Sequence, residues 1–239
     1  MAAHQEQLDE REVNGRRFWY RKGTVDEVVL TDAYQQRRFS LLELESEADP
    51  VVVDVGAHIG CFTVFMAAKL SAATVYALEP AKSNFDLLTR NIAANSLSKV
   101  VPLQVALSGE SGRTILHHAA ENWGHSLYPD LAGANGLTEK VTAMSLDEFI
   151  RSNSISKIDY LKMNIESAEY GVILRSSTET LAALFRMEVE FHPFPTADGS
   201  QLASWLSLCG FDVRTSWSSQ EAGKGWIHAQ RLELSGRDQ

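Results

Sequence analysis

A chain of 239 residues, 44% hydrophobic and 22% charged, has the material for a full buried core in one large or two small domains. Its formal net charge of −9, without a run of lysines or arginines, lacks the electrostatic footprint of a nucleic-acid or anionic-membrane binder, so a small neutral or cationic partner suits it better. No apolar stretch approaches the roughly 20 residues of a membrane span, the polar start MAAHQEQLDEREVNG lacks the parts of a signal peptide, and Cys61 and Cys209 make neither a disulfide framework nor a zinc spacing, which together predict a cytoplasmic protein.

Residues 1–48 read as a polar N-terminal segment whose aromatic cluster, Phe18, Trp19 and Tyr20, either packs on the core or covers a site as a lid; residues 49–239 read as the main domain. VVVDV at 51–55 predicts a buried strand, and CFTVFMAAKL at 61–70 an apolar helix beginning at Gly60. ATVYALEP at 73–80 predicts a second strand stopped by Pro80, followed by an amphipathic helix at 83–96 with Ser83 as N-cap. KVVPLQVALS at 99–108 predicts strand three. RTILHHA at 113–119 and EKVTAMS at 139–145 predict two further strands around a loop, 121–137, that carries Trp123 and His125. Ser145 and Glu148 form a capping box at the start of a helix. IDYLKMNI at 158–165 and RMEVEFH at 186–192 predict core strands four and five, with a helix at 167–177 between them. A helix at 201–210 closed by Gly210 leads to a terminal hairpin, 211–216 and 225–233. This alternation implies right-handed crossovers: an α/β, Rossmann-like fold with a seven-stranded, mostly parallel sheet, an antiparallel end, and helices on both faces.

In such a sheet, ligands bind beyond the carboxyl ends of the strands. A dinucleotide turn needs Gly-x-Gly-x-x-Gly, whose second glycine lets the backbone approach a pyrophosphate. Here Asp54, Gly56 and Gly60 bracket His58, a bulky side chain that disfavours phosphate contact while the flanking glycines still permit a tight turn. Nineteen residues after Gly60, Glu79 ends strand two ahead of Pro80, where a carboxylate can accept both hydroxyls of a ribose. The pair points to S-adenosyl-L-methionine; the plain alternative is a turn glycine and a surface glutamate in some other α/β protein.

In order and spacing, VVDVGAHIG, VYALEP followed by NFDLLTRNI, LQVALSG, MSLDEFI and IDYLKMNIESAE closely resemble the motifs of the FkbM-type S-adenosylmethionine-dependent methyltransferases over about residues 50–192. The resemblance implies a class I methyltransferase fold, residues 49–239 as the cofactor-binding domain, and O-methylation of hydroxyls on sugars, polyketides or other natural products. It also implies that Asp54, Gly56 and Gly60 form the cofactor turn around His58, that Glu79 before Pro80 holds the ribose, and that Ala106, Leu107 and Ser108 lie near the adenine. The family usually shows Leu-Lys-Ile-Asp and then Glu-Gly-x-Glu, whereas this chain has LKMN and ESAE, placing Asn164 for the aspartate and Ser167 for the glycine. An amide is no general base and a poorer ligand than a carboxylate for a hard cation, so no metal is expected at this position. It leaves an amine acceptor open.

Methyl transfer from a sulfonium is an in-line displacement in which the protein supplies alignment and, for a hydroxyl, proton removal. Candidates at the strand ends are Asn164 and Glu166 after strand four, with Glu190 and His192 on one face of strand five. His192 has an ordinary pKa suited to accepting a proton near neutrality. Each has a plain alternative: His192 ending a strand before Pro193, Glu190 bonded to backbone, Glu166 complementing a helix dipole. Trp123 and His125 are substrate-contact candidates because specificity resides in such loops. His117 and His118 face opposite ways, against a shared metal, and Phe62 and Phe65 belong to the core. Three functions stay open: O-methylation of a small molecule, N-methylation of a small amine or a protein side chain, and a catalytically silent cofactor-binding module. The acidic balance counts against RNA.

Overall fold

The computed structural model describes residues 7–35, 48–131 and 134–232; Glu233 of the expected hairpin and residues 36–47 of the N-terminal segment lie outside these. The N-terminal segment forms an antiparallel hairpin, β1 (Leu8–Val13) and β2 (Arg16–Arg21), followed by helix α1 (Asp26–Gln35). The main domain then runs β3 (Val51–Val55), α2 (Cys61–Lys69), β4 (Thr74–Leu78), α3 (Lys82–Ala94) and β5 (Val100–Leu103). Three strands follow, β6 (Ala106–Leu107), β7 (Gly112–Ala119) and β8 (Ala134–Met144). The chain continues as α4 (Leu146–Ser152), β9 (Tyr160–Met163), α5 (Glu169–Arg175), α6 (Thr178–Ala182), β10 (Arg186–Phe191), α7 (Gly199–Leu208), β11 (Phe211–Trp217) and β12 (Gly225–Arg231).

Seven strands make one sheet in the order β11-β12-β10-β9-β3-β4-β5. Neighbours from β5 to β10 pair in parallel, and β12 runs against both β10 and β11. From β3 the chain builds outward through β4 and β5, then crosses to β9 on the other side. The strand order therefore reverses between β3 and β9, and their carboxyl ends open the crevice in which such folds bind ligands.

Alternation along β3 divides the core. Val53 and Val55 pack with Phe149, Tyr170 and Leu202 on one face, while Val52 packs with Phe62, Met66 and Leu88 on the other. The N-terminal aromatics are core: Phe18 and Tyr20 join Leu30 of α1 against Ile59, Cys61, Val64 and Leu87. Full burial of Phe18 alone contributes about 1.5–3 kcal/mol. Asn91 of α3 receives the Trp19 amide at 2.6 Å and donates to the Trp19 carbonyl at 3.0 Å, so β2 is fastened to the main domain by polar bonds as well. Among the described residues no helix is long and apolar enough to cross a membrane.

Three expectations are corrected. The run 99–108 is not one strand: β5 stops at Leu103, and Ala106–Leu107 leave the main sheet to pair with Ala143–Met144 of β8. The change of sheet falls at the exposed Gln104, the one polar residue between Val100 and Leu107. Ser83 does not cap α3, which begins one residue earlier behind Ala81. Carboxylates take the cap's place, because Glu79 Oε1 accepts the Ala81 amide at 3.0 Å and Glu139 of β8 accepts the Lys82 amide at 3.3 Å. The helix expected from 167 starts at Glu169, since Glu166 and Ser167 take left-handed backbone conformations with φ of 51° and 79°. The strands at 113–119 and 139–145 form, with β6, a separate three-stranded sheet beside the crevice.

Candidate active site

Beyond β3 the chain turns through Gly56 at φ 77°, where a Cβ would run into the carbonyl oxygen of Asn164. Only glycine lets the turn lie against the end of β9. Gly60, with φ 89°, caps α2 and packs on the Leu88 side chain. Asp54 lies beneath the turn, fully buried, where Oδ2 accepts from Thr63 Oγ1 at 2.6 Å and Oδ1 accepts from Lys162 Nζ at 3.0 Å. Lys162 also donates to the Gly56 carbonyl at 2.8 Å, so this lysine inside a buried strand clamps the turn from below.

Glu79 ends β4 beside the turn. Its Oε2 accepts the His58 amide at 2.8 Å and its Oε1 the Ala81 amide at 3.0 Å. Burial pushes its pKa up against the opposing influence of His58 and these amides. Oε1 is also reached by Asn84 Nδ2 at 3.5 Å, which leaves Oε2 with a lone pair to spare; Glu79 lines the cavity, so this oxygen can accept a further donor there.

The cavity measures about 570 Å³, within the range of small-molecule and cofactor sites. Gly56, His58, Glu79, Pro80, Ala106 and Leu107 line one half; Asn164, Glu166 and Glu190 line the other. Trp123 and His125 close it from the loop after β7, with Trp123 half exposed. The Ala119 amide donates to His125 Nδ1 at 3.1 Å, which places the neutral ring's proton on Nε2. Burial, with His118 and His58 nearby, depresses the pKa of His125 to about 4, so the ring stays neutral.

Two side-chain chains meet in the second half. In one, Asn164 Nδ2 donates to Glu190 Oε2 at 2.9 Å, and Lys224 Nζ lies 3.0 Å from Glu190 Oε1. The amide orientation is thereby fixed, and Asn164 Oδ1 is buried without a hydrogen-bond partner among the described residues. Burial works to lower the Lys224 pKa, but Glu190 and Glu166 outweigh it and raise it. In the other, Glu166 Oε1 is 3.4 Å from His192 Nε2, within ion-pair range though off the line of a hydrogen bond, and His192 Nδ1 is 3.1 Å from Glu169 Oε1. Burial lifts Glu166 to about 7, opposed by His192 and aided by Glu169 and Glu190. His192 goes to about 9, because its two carboxylate neighbours outweigh the burial that would lower it.

The crevice thus gathers most of the residues singled out in the sequence, with four differences. Asp54 and Gly60 shape the turn from outside the cavity wall. Ser108 faces elsewhere: its amide donates to the Met144 carbonyl and its Oγ to the Glu110 carbonyl, because β6 has joined the small sheet. His192 stands behind Glu166 and is a cation at neutral pH, so it has no lone pair to take a substrate proton. Glu190 has both oxygens engaged. Lys162, Lys224 and Trp226 also line the cavity and were missed. Lys162 carried a signal, a lone lysine in an otherwise apolar strand; Lys224 and Trp226 sit at a hairpin with no motif.

The methyltransferase FkbM domain profile matches residues 54–213. Among characterised relatives, methyltransferase sdnD of Sordaria araneosa is 28% identical over 73% of this chain and 79% of that protein. Hexuronic acid methyltransferase AglP of Haloferax volcanii is 32% identical over 66% of this chain, which spans 62% of that relative's length. Among solved structures, M. jannaschii TYW2 in complex with AdoMet overlays with a TM-score of 0.46 at 16% identity, over 97% of this chain and 90% of that one.

Proposed function

The chain belongs to the FkbM family of S-adenosylmethionine-dependent methyltransferases, and from that premise we propose that it methylates a hydroxyl of a small molecule, with Glu166 receiving the proton. The residues fit the cofactor: a glycine turn without phosphate machinery, a carboxylate with a spare lone pair on Oε2 at the ribose position, and an apolar stretch at Ala106 and Leu107. Bound there, the sulfonium supplies an electrophilic methyl group. Glu79 and the Gly56 turn would hold the cofactor, Glu166 would take the proton of the reacting hydroxyl, and Asn164 Oδ1 would orient the acceptor by receiving a hydrogen bond from a neighbouring donor on it.

The observation that carries this reading is the Glu166 carboxyl itself. It lines the cavity and, at about 7, sits where a general base works best near neutral pH. His192 and Glu169 are assigned positioning roles behind it. AglP, named as a hexuronic acid methyltransferase, supports a sugar-type acceptor. The test is transfer of a labelled methyl group into pools of candidate hydroxyl and amine compounds, with wild type and Glu166→Gln. Transfer into hydroxyls that is lost in Glu166→Gln supports the reading; no transfer into any pool favours a silent cofactor-binding module.

The unpartnered Asn164 Oδ1 favours a second reading, N-methylation, because an amide oxygen can hold an amine N–H without taking its proton. Label entering only the amine pool, insensitive to Glu166→Gln, would select it.

A further inference from the structure

Asp26, the first residue of α1, is fully buried and collects partners from three parts of the chain. Arg21 gives its backbone amide, Nε and Nη2 at 2.9, 2.8 and 3.0 Å. Asn122 gives Nδ2 at 2.7 Å, and His58 of the cofactor turn brings Nε2 to 3.2 Å. Burial works to raise the Asp26 pKa, but His58 and Arg21 outweigh it and hold it below the ordinary carboxylate range.

A second path runs alongside. Arg21 Nη2 donates to Asn84 Oδ1 at 2.7 Å, and Asn84 Nδ2 donates to the Asn122 carbonyl at 2.9 Å while reaching Glu79 Oε1 at 3.5 Å. Asn122 is therefore joined to both residues that face the cofactor side, His58 through Asp26 and Glu79 through Asn84. The next residues, Trp123, Gly124 and His125, line the cavity. At the other end of this stretch Ser126 Oγ donates to the Glu166 carbonyl at 2.7 Å. The loop is held to the cofactor side by Asn122 and to the acceptor side by Ser126.

We propose that Asp26 and Asn122 are positioning residues that transmit occupancy of the cofactor site to the acceptor loop, setting Trp123 and His125 in place once the cofactor is bound. The N-terminal segment is then a working part of the site, neither a loose lid nor mere packing. A buried carboxylate with partners from three segments shifts only if those partners shift with it, so a contact at His58 or Glu79 is felt at Asn122. The inference rests on the reading that this cavity takes S-adenosylmethionine.

The experiment uses S-adenosylhomocysteine as the probe and Trp123 as the reporter, its emission isolated by difference from Trp123→Phe. In wild type, binding should shift Trp123 emission and slow its quenching by acrylamide. In Asn122→Ala and Asn122→Asp, calorimetry should still find binding, while the ligand-dependent change in Trp123 quenching falls by about fivefold or more. A Trp123 response in both variants equal to wild type, or binding to wild type with no Trp123 response, would overturn the coupling and leave the cofactor reading standing. A wild-type protein that does not bind S-adenosylhomocysteine would overturn both.

Discussion

His192 Nε2 stands 3.4 Å from Glu166 Oε1, and each acts on the other's proton affinity, beside burial, which raises Glu166, and Glu169, which raises His192. Glu166 loses its proton near pH 7 while His192 keeps its own to about 9. The kcat/KM for methyl transfer to a hydroxyl should therefore rise with pH through about 7 and fall again as the imidazolium is lost near 9. Glu166→Gln should lower kcat by about 100-fold or more. A profile flat from pH 6 to 8 in wild type would assign the base elsewhere.

The same pair ties stability to pH. His192 has a folded-state pKa raised from 6.5 to about 9, so its contribution is complete below about 6.5 and is lost as pH rises through 9. Glu166, raised from 4.5 to about 7, works in the same direction: its contribution is complete below about 4.5 and lost through 7. The urea midpoint should fall continuously from about pH 5 to pH 9, and His192→Gln should flatten the part above 7. Equilibrium unfolding at a series of pH values measures it.

Gly56→Ala should destabilise the protein by about 2–4 kcal/mol, combining a left-handed backbone with a collision against the Asn164 carbonyl. Gly15→Ala is a useful contrast, for its Cβ would meet nothing within 4 Å and only the backbone term remains. Thermal melts of the two should separate clearly; equal losses would mean that the Asn164 contact yields easily.

Glu79→Ala removes the acceptor of the His58 amide and of the proposed ribose hydroxyls together. Cofactor affinity should weaken by about 1–3 kcal/mol, with a smaller loss in Glu79→Gln, which keeps one acceptor oxygen. Calorimetry with S-adenosylhomocysteine decides it, and wild-type affinity in Glu79→Ala would free Glu79 from any part in binding.

Asn164 turns its Nδ2 toward Glu190, whose other oxygen faces the Lys224 ammonium, an arrangement that offers a divalent cation a donor group and a positive charge. Turnover should persist in excess chelator. Asn164→Ala should lose most of its kcat at nearly unchanged cofactor affinity, and Lys224→Met should lose part of it by releasing Glu190. Activity abolished by chelator and restored by magnesium would reverse the assignment.

The parts of this site legible in the sequence are those in which one local pattern has one structural meaning. VVVDVGAHIG announces a buried strand and a glycine turn because both are set within ten residues. Glu79 was legible because its distance from Gly60 follows from one helix and one strand. Lys224, Asn122 and Asp26 were not: each matters through a partner 34 to 96 residues away, Glu190 for the first and one another for the second and third. Ser108 misled for the opposite reason, since its apolar neighbours persist through a change of sheet. His192 was placed correctly at the end of a strand, but its charge depends on Glu166 and Glu169, which only the fold brings to it.

The contact between Gly56 and Asn164 also bears on the order of assembly. Residues 51–103 complete β3, β4 and β5 with their two helices, so three of the seven strands of the main sheet can form from neighbouring chain. The wall against which the Gly56 turn rests comes only with β9, more than a hundred residues later, and Lys224 only with the last hairpin. During synthesis, hydrophobic surface on the open side of β3 stays uncovered until that return crossing is made, a long-range parallel pairing that is slow by nature. Chaperone demand should therefore be greatest after the first three strands have emerged, and ligand should not bind nascent chains that stop before residue 164.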